Sequence, residues 1–352
     1  MSLRLPDPAR LRDIFAGLGF VTNCPRMTPI LQCAYKAAQA SDTTVLLQGE
    51  TGTGKQVLAR AIHSLDEKRG RFAFVTVHCS TITESLAESE LFGHQKGSFS
   101  GAFASRPGLF QAACRGTVFL DDVNDLPLRL QPKLLDVLQR RIVRPLGSDR
   151  EVPVDVRVIA AANRPLEPLV NEAAFRGDLY HRLNVIQLSL PPLRDRSEDL
   201  AVLVLEFARR HASLHERIES LDAELVEYLQ ACRFEGNVRQ LENAVQRMLF
   251  LKGDGDRLTR EDWLLQEAEL TAESKHRDDI MQATNLLWVA MQRQEVSFPD
   301  LMRRIESELL QRALQVSGKT RREIAKLLHT SERTLYHKIS AHGISATPRR
   351  AG

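Results

Sequence analysis

The chain has 352 residues, 43% hydrophobic and 26% charged, which excludes a disordered or fibrous polypeptide and suffices for about two or three domains with cores of their own. Five scattered cysteines (Cys24, Cys33, Cys79, Cys114, Cys232) form no C-x-x-C pair and are odd in number, which argues against a disulfide framework or a zinc site and fits a reducing cytoplasm. The net charge of +3 is too small to name a partner; MSLRLPDPAR lacks the apolar core of a signal peptide and no run reaches roughly 18 apolar residues, so no membrane partner is expected.

Residues 1–20 read as an N-terminal extension and 21–192 as an α/β domain. In the latter, short β-rich runs alternate with helical patterns: TTVLLQG from Thr43, FAFVTVHC from Phe72, GTVFLDDV from Gly116, VRVIAAAN from Val156 and NVIQLSL from Asn184. That rhythm predicts a parallel sheet with crossover helices. Residues 193–270 turn helical, with the amphipathic stretches LAVLVLEFARRHA, LDAELVEYLQAC and NVRQLENAVQRMLFL, and form a separate helical subdomain. Residues 271–298 are polar and mixed, and are expected to be a linker with one helix around Ile280 to Met291.

Residues 299–352 read as a small all-helical domain. One helix is expected from about Phe298 to Val316, with Leu301, Ile305, Leu309 and Ala313 on its packed face. Thr320 and Glu323 have capping-box spacing for a second, Arg321 to Leu328. Ser331 can cap a third, Glu332 to about His342, closed by Gly343. Two short helices joined by a tight turn make a helix-turn-helix. From Lys319 to Arg350 eight basic residues oppose only Glu323 and Glu332, a local balance of +6, as phosphate neutralisation would use.

Two motifs carry chemistry. Gly49-Glu50-Thr51-Gly52-Thr53-Gly54-Lys55 follows the strand TVLLQ and precedes the helix VLARAIHS. In that setting glycines let backbone N–H groups close around phosphates, the helix N-terminus adds positive potential, and Lys55 reaches the β and γ phosphates. Gln56 follows the lysine. The strand Thr117 to Leu120 then ends in Asp121-Asp122, acids placed to hold Mg²⁺ and an attacking water. On residues alone the first is equally a glycine-rich turn and the second a solvated acidic turn; their order and spacing favour nucleotide chemistry.

Glu90-Leu-Phe-Gly-His94, Gly97-Ser98-Phe99-Ser100-Gly101-Ala102, the acidic strand and Leu130 to Gln139 together resemble the central AAA+ domain of the sigma-54-dependent transcription activators. The resemblance runs from about Thr22 to Leu265 and resumes in the C-terminal helices. It implies that Gly97 to Ala102, the counterpart of a G-A-F-T-G-A loop, contacts the sigma factor. It implies that Asn163, after the strand VRVIAAA, is sensor I and orients the attacking water, and that Arg176 and Arg182 are arginine fingers reaching a neighbouring subunit. Arg239 then stands as sensor II on the helical lid. The tail resembles a Fis-type domain, whose recognition face is matched by Ser331, Arg333, Thr334, Tyr336, His337 and Lys338.

The implied activity is ATP hydrolysis with Mg²⁺ in a ring, expected as a hexamer, that remodels sigma-54 RNA polymerase while the tail holds upstream, enhancer-like DNA. With only residues 1–20 ahead of the ATPase region, control is expected from a separate regulatory protein, from expression level or from a domain removed from this chain. A DNA-bound regulator with a weak or silent ATPase, and a generic remodelling ATPase, are the other readings. Three departures bear on rate: Asp122 stands for the usual Glu, His78 for an Asn that restrains it, and Gln56 for a Glu. They predict normal ATP binding with slow hydrolysis, with Asp122 and His78 acting as one unit.

Overall fold

The computed structural model describes residues 5–80, 84–99, 102–215, 218–268, 281, 284–285, 288, 291, 297–315 and 320–344. The chain divides into two compact units, Met1–Glu267 and Ala268–Gly352. In the first, strands β1 (Val45–Gln48), β2 (Phe74–His78), β3 (Thr117–Asp121), β4 (Arg157–Ala162) and β5 (Ile186–Ser189) form one sheet in the order β2-β3-β4-β1-β5. All its pairings are parallel. Each strand lies inside the run where the sequence predicts it.

Side chains alternate across a strand with a period of two, so β1 sends Val45 and Leu47 to one face and Leu46 to the other. The first face is covered by helices Pro8–Gly17, Thr28–Gln39 and Lys55–Ser64, through Phe15, Leu31, Leu58 and Ile62. The second is covered by Gln131–Arg140 and Gly177–Leu183, through Leu134, Val137, Leu179 and Leu183. The described residues 5–20 depart from the expected extension. Pro8–Gly17 is a helix capped by Asp7, and its Leu11 and Phe15 are fully buried. Burial of each is worth about 1.5–3 kcal/mol, which makes this helix part of the domain core. Leu11 and Phe15, one helical turn apart, were the signal.

Helices Leu200–Arg210, Ala223–Ala231 and Asn237–Leu251 pack around Leu203, Phe207, Leu225, Leu241, Val245 and Trp263. This helical lid follows β5 directly. The second unit holds helices Phe298–Gln315, Arg321–Leu327 and Glu332–Ala341 around Leu310, Ala313, Ile324, Leu335 and Ile339. Both expected caps form: Thr320 and Glu323 bond reciprocally, and Ser331 accepts from the Thr334 amide at 3.1 Å. Of the expected packed face, Ala313 is buried and Leu301 and Ile305 are half-buried, but Leu309 is 56% exposed and its neighbour Leu310 is buried instead. With only two short helices to cover it, the long helix buries a narrow stripe. The expected linker and its helix around Ile280 to Met291 lie mostly outside the described residues.

Candidate nucleotide site

The loop Gly49 to Gly54 turns the chain from β1 into helix Lys55–Ser64. Gly52 (φ +79°) and Gly54 (φ +99°) sit in the left-handed region, where a side chain would be strained. Gly54 caps the helix without any side-chain bond, so the first-turn N–H groups are left for an anion. The Lys55 ammonium is buried and donates to the carbonyls of Gly49 at 2.6 Å and Glu50 at 3.0 Å. Burial pushes its pKa down, against the opposing pull of Asp121 and Asp122.

A cavity of about 230 Å³ opens above this loop. Gly52, Gly54, Lys55 and Gln56 form its floor, Asp121 and Asp122 one wall, and Arg239 and Glu242 the lid side. Gly49 packs against Leu190, and Thr53 turns its hydroxyl onto the Glu50 carbonyl at 2.8 Å. Asp121 has its carboxyl pushed above the usual range, first by burial and then by the charge of Asp122, with Lys55 and His78 opposing. A buried carboxylate beside another is a group whose ionised form a divalent cation would relieve.

Asp122 adopts a left-handed backbone (φ +52°, ψ 49°), a conformation held at functional sites when the surroundings over-determine it. Asn163 does so here: its Nδ2 donates to Asp122 Oδ1 at 3.1 Å, while its own amide donates to Asn124 Oδ1 at 3.2 Å. Asn163 is thus a partner of Asp122 that the expected unit of Asp122 and His78 left out. In the register of β2 on β3, His78 lies opposite Asp121, and its Nδ1 faces Asp121 Oδ2 at 3.5 Å. Asn163, at the end of β4, supplies the tether for Asp122.

The lid is fastened to the phosphate loop by residues that the sequence reading missed. Asn237, fully buried at the start of its helix with φ +51°, donates to Glu50 Oε2 at 3.1 Å and to the Thr51 carbonyl at 3.0 Å. Arg194 grips the Glu50 carboxylate with both guanidinium ends, at 2.9 and 2.6 Å. Arg196 is buried and donates to the Thr53 carbonyl at 2.7 Å. Gly52 accepts from the Val238 amide at 2.9 Å, and a Cβ on it would sit 2.3 Å from the Gly236 carbonyl. Arg239 is therefore carried to the cavity by backbone contact. The only sequence signal was the segment Gly236-Asn237-Val238 ahead of Arg239.

Arg176 precedes helix Gly177–Leu183 as its N-cap and Arg182 lies in its last turn; both are exposed and neither lines the cavity of its own chain. Asp178 holds Arg176 at 3.1 and 2.7 Å, and Arg182 reaches the Leu138 carbonyl at 3.4 Å. The Gly97 loop rises on a two-stranded base, with His94 opposite Arg106. The Gly97 amide closes on the Ala102 carbonyl at 2.9 Å. Phe99 leans edge-on against His94, ring centroids 5.2 Å apart, and Ser98 is half-buried against Gly147, where a Cβ would lie 2.6 Å from its own. Ser100 and Gly101 lie outside the described residues.

In the second unit Arg333, Thr334, Tyr336 and His337 are exposed, and Ser331 serves as the helix cap. Lys338 departs from the expected open face. It is half-buried and paired with Glu306, which also binds His342 at 2.8 Å, because it follows the helix seam next to buried Leu335 and Ile339.

Among known proteins, the family described as the Sigma-54 interaction domain matches residues 20–189, and that described as the AAA+ ATPase lid domain matches 194–280. The chain belongs to the sigma-54-dependent transcription activators, AAA+ ATPases in class. It is 38% identical over 325 residues to the regulatory protein AtoC of Escherichia coli, covering 92% of this chain and 68% of AtoC. It is 50% identical over 212 residues to the transcriptional activator HyfR of E. coli, covering 60% of this chain but only 32% of HyfR. Among solved structures, NtrX of Brucella abortus in complex with ATP superposes with a TM-score of 0.63 at 28% identity, covering 96% of this chain and 73% of that one. No helix among the described residues is long and apolar enough to cross a membrane.

Proposed function

We propose that this chain hydrolyses ATP with Mg²⁺ in a ring of its own copies, a hexamer. Turnover drives the Gly97 to Ala102 hairpin against sigma-54 RNA polymerase so that the promoter opens. The observation that carries this reading is the cavity in which Lys55, Asp121, Asp122 and the lid's Arg239 converge. The ATP held by the similar NtrX supports it. In that cavity the P-loop N–H groups and Lys55 bind phosphates, Asn163 holds Asp122 toward the water, and Arg239 registers the nucleotide from the lid.

Among the described residues no three His, Cys, Asp or Glu side chains gather to hold a metal by themselves. Magnesium needs only one or two protein carboxylates beside substrate phosphates, and the half-buried carboxyl of Asp121 fits that role, with Gln56 beside it. Bound there, the ion would neutralise charge on the β and γ phosphates.

Arg176 and Arg182, outside their own cavity, act on the neighbour's γ-phosphate. The exposed Arg333, Thr334, Tyr336 and His337 face lies in the major groove of upstream DNA as part of a helix-turn-helix, with Ser331 and Lys338 bracing it. The five free thiols fit work in the reducing cytoplasm. Open-complex formation by purified sigma-54 polymerase, with and without ATP, tests the reading. DNA-dependent regulation without ATP-dependent opening would replace it by a DNA-bound regulator with a silent ATPase, a reading that the short Asp122 side chain favours.

A further inference from the structure

Phe103 is 87% exposed, more than any other large apolar side chain described, and it stands on the returning arm of the hairpin that bears Phe99. That arm is ordered by its neighbours: the Lys96 amide donates to Ser105 Oγ at 3.0 Å, and Gly97 bonds to Ala102. Ala102 turns inward with 6% exposure, whereas Phe103, the next residue, stands out in water. Phe99, by contrast, keeps only 37% exposure against His94. The hairpin thus carries one half-stowed aromatic and one standing in water, flanked by exposed Lys96 and Arg106. Single exposed apolar side chains are common, but this one continues the surface of a domain whose description is sigma-54 interaction, residues 20–189. Aromatic anchors with a charged rim are the usual energetic centre of a protein interface.

We propose that Phe103 is a second gripping residue for sigma-54, seating in an apolar pocket of the sigma factor beside the Phe99 contact, with Lys96 and Arg106 meeting acidic groups at its rim. This rests on the reading of the hairpin as the sigma contact.

The test measures binding of the full chain to purified sigma-54 in the presence of ADP and aluminium fluoride, for the parent, Phe99→Ala, Phe103→Ser and Phe103→Leu. Phe103→Ser should bind roughly tenfold more weakly or worse, and Phe103→Leu should recover most of the loss. ATP hydrolysis and self-assembly should match the parent in both Phe103 variants. Unchanged binding by Phe103→Ser, alongside loss in Phe99→Ala, overturns this proposal and leaves the hairpin reading standing. A parent that does not bind sigma-54, or a Phe99→Ala chain that binds as well as the parent, overturns the hairpin reading itself. A fall in self-assembly on Phe103→Ser would assign the ring to a contact between copies, and the proposal fails.

Discussion

Asp122 is one methylene shorter than the glutamate usual at its place, and its left-handed backbone is held from one side by Asn163. A water-positioning group displaced by about 1 Å lowers rates by roughly a hundredfold, while phosphate binding rests on the loop backbone and Lys55. Hydrolysis should therefore be slow with near-normal ATP affinity, and Asp122→Glu should speed it. The tether makes Asn163 the coupled partner. Single-turnover rates for a double-mutant cycle of Asp122→Glu with Asn163→Ala should be strongly non-additive, and the cycle with His78→Asn nearly additive; the reverse pattern would restore the pairing expected from sequence. The site residues themselves were legible because a P-loop and an acidic strand are linear motifs. The partner of Asp122 was not, because β2 and β4 flank β3 on opposite sides and only strand register decides which neighbour meets which carboxylate.

The contact between P-loop and lid makes a larger claim testable. Arg194, and then Asn237, hold the Glu50 carboxyl down at about 2, below its ordinary value of 4.5. A depressed carboxylate contributes stability in full above its unfolded value and loses it as pH falls toward the folded one. Between pH 4.5 and about 2, urea unfolding should show the parent losing stability faster than Glu50→Gln. On this exposed pair the gain in stability is small, within about 1 kcal/mol, but Glu50→Ala should also lower kcat by misplacing Arg239. Beneath the sheet lies a different case. Arg157 and Asp66 pair at 2.8 Å with both side chains fully buried. Asp66→Ala should cost about 3–5 kcal/mol by stranding the guanidinium, whereas replacing both by Met and Leu should cost far less; urea midpoints of the two variants decide it. The strands and the lid helices were readable from periodicity, helix Asn237–Leu251 to the residue. The latch was not, since Glu50 and Arg194 are distant in sequence and meet only when the lid folds back.

At the scale of the assembly, the finger role proposed for exposed Arg176 and Arg182 needs a neighbouring copy. Mixing Arg176→Ala with Lys55→Ala copies should restore part of the ATPase, because an intact cavity then meets an intact finger; mixtures no better than the sum of the separate mutants would refute a shared site. For DNA, Arg333→Ala should weaken binding and reduce the salt slope by about 1, as loss of one phosphate contact does, leaving hydrolysis alone. Titration of labelled promoter DNA at several salt concentrations gives both values, and an unchanged slope would remove Arg333 from the interface. Gly52 meets Gly236 backbone to backbone, too close for any methyl group between them. With no side chain to flex at that point, the loop around the phosphates cannot settle or relax without carrying the lid along with it. Any shift of the loop on filling the cavity would therefore pass straight to the first turn of the lid helix, with no slack between them.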